Sequence, residues 1–145
     1  MTPVIDMLKT HPQGTSGPAT LSTDELAACI EACLSCALTC SMCADACLAE
    51  AEVDRLRQCI RQDLDCADIC AATARVLARQ TGFDPLVAGP LVAACTTACA
   101  SCAEECASHA EHMAHCAICA QACHRCEQLC QAILPKLGPP AEVSR

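Results

Sequence analysis

Six cysteines, at positions 29, 33, 36, 40, 43 and 47, fall in the stretch ACIEACLSCALTCSMCADAC at spacings of 4, 3, 4, 3 and 4. This is the period of one α-helix face held for about five turns, so a whole stripe of the helix is thiol. Neighbours three and four apart on such a face have Cβ atoms about 5–6 Å from each other, close enough for their sulfurs to converge on one small ion. The same period returns three times. Cys59, Cys66 and Cys70 form a second row, Cys95, Cys99, Cys102 and Cys106 a third, and Cys116, Cys119, Cys123, Cys126 and Cys130 a fourth. Asp63 occupies a slot of the second row whose neighbours are sulfur. A buried carboxylate is costly unless paired or bound to a cation, so Asp63 is either a weak ligand or faces a wet part of the interior.

Which ion such rows suit follows from softness and geometry. Zn(II) takes closed tetrahedral sets of four ligands, and iron–sulfur clusters also use discrete quartets. A continuous ladder without quartet grouping suits an ion content with two or three thiolates and with bridging sulfurs, which is Cu(I). About one Cu(I) per Cys would also neutralise the buried sulfurs. A zinc or mixed-metal detoxifier of the metallothionein kind and an iron–sulfur electron-transfer protein are the alternatives. Catalysis by a Cys–His pair has no distinctive motif here and leaves most thiols unexplained, so no enzyme is expected. Cysteine as a small apolar filler does not account for 18 of them in phase.

Four helices must position these rows. The chain has 145 residues, one domain's worth, with no Trp, no Tyr and Phe83 as its single aromatic, so bulky hydrocarbon is scarce in any core it builds. The first helix is expected to start at Ser22, which has capping-box spacing with Glu25, and to end between Ala49 and Asp54. The second spans about 54–80 and stops at Gly82, where Phe83, Asp84 and Pro85 supply a fresh start. The third begins at Pro85 or after Gly89 and Pro90. A turn is expected near Ser108, because Ser108 and Glu111 repeat the capping-box spacing and the cysteine period slips between His109 and His112. The fourth helix ends before Pro135. The rows repeat: ACTTACASCAEEC matches ACIEACLSCALTC at an offset of 66, and Cys59, Asp63, Cys66 and Cys70 match Cys119, Cys123, Cys126 and Cys130 at an offset of 60. The expected fold is all-α, an antiparallel four-helix bundle with a cysteine-lined core over residues 22–134. A flexible arm over 1–21, with room for a short helical turn around Val4 to Leu8, and a tail over 135–145 flank it.

The two ends of this bundle differ. One gathers Leu26, Leu77, Leu91, Val92 and Ile133, an apolar plug. The other gathers Cys47, Cys59, His109, His112 and Met113, with His115 a further candidate. Neutral imidazole and thioether are exchangeable copper ligands, so this end reads as a mouth, against the plainer reading of HAEHMAH as a polar turn. Met7 and His11 fall in the arm. Met42 lies off the cysteine row on the flank of Ile30, Leu34 and Leu38, facing a neighbouring helix or subunit, and His124 points outward. A net charge of −8, with nine scattered basic residues, excludes nucleic acid as a partner. The first twenty residues lack the apolar run of a signal peptide, and no stretch reaches eighteen uninterrupted apolar residues, so a cytoplasmic protein off the membrane is expected. Thiols stay reduced there.

The four rows, with ACxxACxSCAxxC in both hairpins, resemble the bacterial copper storage proteins, formerly grouped as cysteine-rich four-helix proteins. The likeness spans about residues 22 to 134. It implies a homotetramer of bundles, each holding many Cu(I) ions along its interior through Cys thiolates. It also implies a cytosolic branch with His near the opening, as distinct from an exported branch with a Met-rich one. A copper chaperone or a cuproenzyme recipient is the partner that follows.

Overall fold

The computed structural model describes residues 2–15 and 21–138. Among the described residues five α-helices run in order: α1 (Val4–Lys9), α2 (Thr23–Leu48), α3 (Arg57–Ala78), α4 (Pro85–Ala107) and α5 (Ala114–Ile133). The capping box expected at Ser22 starts α2. Ser22 Oγ accepts the Glu25 N–H at 3.0 Å, and Glu25 Oε1 accepts the Ser22 N–H at 3.3 Å. After Ala49 the chain turns without Gly or Pro, and a 3-10 segment, Val53–Leu56, leads into α3. Gly82, at φ +68°, makes the next turn, a left-handed conformation that L side chains avoid. Pro85 then opens α4, with Asp84 Oδ1 accepting the Leu86 N–H at 2.9 Å. Gly89 and Pro90 lie inside α4 and do not delay its start.

The turn expected near Ser108 is present, but the Ser108–Glu111 capping box is not. Ser108 closes α4: its N–H reaches the Glu104 and Glu105 carbonyls, and its Oγ donates to Glu105 O at 2.6 Å. A hydroxyl committed backwards cannot cap the helix ahead, so residues 108–113 form turns and α5 begins only at Ala114.

Helix α2 packs beside α3 and α5, and α4 packs beside the same two, which gives a four-helix bundle of antiparallel neighbours. Every cysteine is buried. The rest of the core is small or aliphatic: Ala27, Ala32, Ala67 and Ala74 among the thiols, and leucines chiefly at the ends. The apolar end contains Leu26, Leu77, Val92 and Ile133, all buried, while Leu91 is half-buried. Two residues from outside the four helices add to the core: Leu8 of α1 and Leu137 just after the 3-10 turn Leu134–Lys136. Thr2 Oγ1 to Glu31 Oε1 at 3.0 Å ties the α1 segment to α2, and Lys136 Nζ pairs with Glu25 Oε2 at 2.6 Å. Residues 16–20 of the expected arm and 139–145 of the expected tail lie outside the described residues.

By mean hydropathy α2 (1.8) and α4 (1.7) are long and apolar enough to cross a membrane, although neither has an uninterrupted apolar run of eighteen. Their cysteine faces are turned into the bundle.

Candidate metal centre

Helical period alone lines up sulfurs along each helix; antiparallel packing brings the rows within contact of one another. Between α2 and α5 the Sγ atoms of Cys29 and Cys130 lie 3.7 Å apart, Cys33 and Cys126 3.6 Å, Cys40 and Cys123 3.4 Å, and Cys43 and Cys116 3.9 Å. Between α3 and α4 the pairs are Cys70 with Cys99 at 3.5 Å, Cys66 with Cys99 at 3.8 Å and Cys59 with Cys106 at 3.7 Å. Cys36 to Cys66 at 3.9 Å, Cys40 to Cys102 at 4.0 Å and Cys95 to Cys130 at 3.8 Å join the two halves. The sulfurs also group in fours, each set within 4.8 Å of one another, among them Cys36, Cys40, Cys66, Cys123; Cys36, Cys70, Cys99, Cys126; and Cys40, Cys102, Cys119, Cys123. These quartets share Cys36, Cys40 and Cys123. They are thus neither the ungrouped ladder that the spacing suggested nor the discrete sets that zinc and iron–sulfur clusters use.

Asp63 stands inside this array and is fully buried. Its Oδ1 accepts from the thiols of Cys102 at 3.1 Å, Cys119 at 3.3 Å and Cys106 at 3.4 Å, while Cys59 lies 3.9 Å from Oδ2. Loss of water pushes the Asp63 carboxyl up to about 7, against the hydrogen bond from Cys102 that pulls it down. Burial likewise raises the Cys47 and Cys116 thiols, Cys116 to about 11. Deeper, hydrogen bonds between thiols divide the rows: Cys66 is held down by the bond from Cys102, and Cys40 is driven up by its bond to Cys102.

The opposite end from the plug is built in two layers. The inner layer is Cys43, Cys47, Cys59 and Cys116, mutually within 4.8 Å. His115 covers it, with Nδ1 3.4 Å from Cys43 Sγ and 3.6 Å from Cys116 Sγ, and Nε2 3.0 Å from Glu50 Oε1. The outer layer is a cleft of about 230 Å³ lined by His109, His112 and Met113 together with Glu52, Arg55 and Leu56. His109 Nε2 lies 3.3 Å from Glu105 Oε1, and His112 is exposed. Sequence reasoning put His115 only at the margin of the mouth, yet it is the histidine in direct contact with thiols. Its position one residue before the first cysteine of the fourth row was the available signal. Glu50 was missed as its partner, because the fold alone brings residues 50 and 115 together.

Other candidates lie away from the sulfurs. His11 is engaged at both nitrogens, by the Gln13 N–H at 3.1 Å and Thr81 Oγ1 at 3.1 Å, and Met7 beside it is exposed. Met42 and Leu38 are exposed on the outer flank of α2, and His124 pairs with Glu127 at 3.4 Å on the surface.

A helical bundle whose interior is given over to overlapping sets of buried thiols is a container for soft, thiophilic metal ions. The chain belongs to the copper storage protein family, which it matches over residues 22–135. Among solved structures it is similar to the Streptomyces lividans copper storage protein Ccsp loaded with 10 copper equivalents, at 49% identity and a TM-score of 0.86, covering 92% of this chain and 99% of that one. A structure of the cytosolic copper storage protein of Streptomyces lividans carrying five coppers gives 54% identity and a TM-score of 0.78, over 79% of this chain and 96% of that one. The Cu(I)-bound copper storage protein BsCsp3 is 36% identical with a TM-score of 0.66, over 74% of this chain and 95% of that one. A comparison with curated proteins gave no match.

Proposed function

We propose that the unit over residues 22–134 stores Cu(I) in the cytosol, about one ion per Cys, with all 18 thiolates as ligands and Asp63 as an additional oxygen donor among them. The observation that carries this reading is the run of Sγ contacts, 3.5 to 4.0 Å, from Cys29 at the plug to Cys59, which lies within 4.8 Å of Cys43, Cys47 and Cys116 at the mouth. Shared sulfurs favour an ion that tolerates bridging thiolate, and a monovalent ion leaves the filled core near neutral. Copper is admitted at the histidine end. His109, His112 and Met113 offer weak, exchangeable donors in the outer cleft, and His115 hands the ion to Cys43 and Cys116. The relatives' copper-loaded states and the cytosolic description of one of them support the same reading.

Assembly and delivery follow from the surface. Leu34, Leu38 and Met42, at 39%, 64% and 63% exposure, form an apolar flank on α2 that suits contact between copies in a homotetramer. A copper chaperone as donor, or a cuproenzyme as recipient, would dock at the histidine end.

Anaerobic titration of the reduced apoprotein with Cu(I) tests the central claim. Binding should continue to more than ten equivalents, approaching one per Cys, before a strong Cu(I) chelator begins to compete. Saturation near four or five equivalents, or preferential retention of Zn(II), would favour closed tetrahedral sites and the metallothionein-like alternative.

A further inference from the structure

At the mouth, two thiols on different helices share one imidazole. Cys43 on α2 and Cys116 on α5 lie 3.9 Å apart, with His115 Nδ1 3.4 and 3.6 Å from them. Glu50 Oε1, 3.0 Å from Nε2, accepts the Nε2–H, so that in the neutral ring the Nδ1 lone pair faces the sulfurs. A thiol beside an imidazole that is itself oriented by a carboxylate is the arrangement of an activated sulfur nucleophile. Cys43 is also the one cysteine with measurable exposure, 2%, where the others show 0%. We propose that Cys43 and Cys116 are a hydroperoxide-reactive pair whose disulfide closes the mouth of the store.

In the reaction His115 Nδ1 takes the proton of one thiol as its sulfur attacks the O–O bond of a hydroperoxide. The alcohol, or water, leaves carrying that proton, and the sulfur becomes a sulfenic acid. The second thiol displaces the hydroxyl, water departs with the second proton, and an S–S bond forms. The two sulfurs together lose two electrons and the peroxide gains them. Partner choice follows from geometry. Cys43 and Cys47 are four apart on one helix, with Cβ atoms about 5–6 Å from each other, beyond the roughly 3.5–4.5 Å that a disulfide needs. Deeper pairs such as Cys40 and Cys123 come closer, at 3.4 Å, but both are sealed from solvent and neither has a base beside it. The bridge would pin α2 to α5 across the opening and remove two donors from the outermost quartet, Cys43, Cys47, Cys59 and Cys116.

This inference rests on the storage reading in taking the mouth as the path of copper. The test uses the full-length, reduced apoprotein with one equivalent of hydrogen peroxide, alkylation of the remaining thiols, and peptide mapping without reductant. Copper uptake is timed in parallel from a coloured Cu(I) chelate before oxidation, after it, and after re-reduction with a phosphine. The expected result is a dominant Cys43–Cys116 cross-link, uptake slowed at least tenfold, and recovery on re-reduction. His115→Ala should slow formation of the cross-link at least tenfold, and Glu50→Gln, at the rim, several-fold. First oxidation at a deep pair, an unchanged uptake rate in the cross-linked chain, or cross-linking as fast in His115→Ala as in the parent would overturn the proposal. A reduced chain that takes up no copper would overturn the storage reading, whatever the map of cross-links.

Discussion

Asp63 shows what a carboxyl enclosed by a thiol array costs the fold. Its carboxyl is fully buried, and its hydrogen bonds come from Cys102, Cys106 and Cys119. Thiols are weak donors, so they offset only part of the lost hydration. Burial raises the folded-state value to about 7, well above the ordinary 3.8. The sign follows from linkage: the folded apoprotein holds the proton more tightly than the unfolded chain does, so stability falls as pH rises between those two values. Below about pH 4 both states are protonated and the cost vanishes; above about pH 7 it is complete, about 4 kcal/mol. Asp63→Asn keeps the size and an acceptor oxygen but has no charge to bury. Urea unfolding of the reduced apoprotein should therefore find Asp63→Asn more stable than the parent by a few kcal/mol at pH 8, and within about 0.5 kcal/mol of it at pH 4. An equal difference at both pH values would mean that the Asp63 charge is not what the fold pays for.

Among the elements, α1 owes its helix to its neighbours. Its six residues, Val4–Lys9, are far too few to stay helical alone in water. Leu8 is 4% exposed against the closed end of the bundle, while Thr2 and His11 hold the segment at either side through Glu31 and Thr81. Leu8→Ala removes most of what fixes it, at a cost of about 2 kcal/mol or more if the rest stayed in place. Detachment is the easier response. Hydrogen exchange should then show the α1 amides, such as Met7 and Thr10, losing protection by at least tenfold in Leu8→Ala, with those of α2 to α5 unchanged within about twofold. Parallel loss of protection in all five helices would show that α1 and the bundle unfold as one unit.

The same local forces explain what could be read from the amino acids in advance. The Ser22 box, the four thiol rows and the Pro85 start were legible because each is written in residues within one or two turns. The turn at Ser108 was legible too, but not the use of its hydroxyl, which can cap the next helix or close the last, and only the chain path decides between them. Gly89 and Pro90 signalled a break, but Pro85 had already begun the helix, and one missing donor at Pro90 is tolerated in so short a distance from its start. At the site, periodicity gave all the thiols and Asp63. The contact of His115 with Cys43, and of Glu50 with His115, joins residues 72 and 65 apart in sequence and had no local signature.

For the whole molecule the governing quantity is charge in the core. Eighteen thiols buried without metal must be mostly protonated, because ionised sulfurs packed 3.4 to 4.0 Å apart with no cations would repel one another in a medium poor in water. A Cu(I) ion that enters must then displace a proton from each thiol it binds, since thiolate and not thiol is the ligand. The exchange is one positive charge for another. At about one ion per Cys the loaded protein should keep close to the −8 of the empty chain, and the acidic surface that keeps it soluble is unaltered by its cargo. Copper binding without proton loss would instead carry the chain from −8 to about +10 at full load. The two cases separate cleanly. Native isoelectric focusing of empty, half-filled and filled protein should place all three bands near one another on the acid side, and titration in weak buffer should release about one proton per copper bound. A band that climbs toward basic pH in step with the copper added would show that the ions sit on the surface, at carboxylates and imidazoles, and not along the thiol-lined axis.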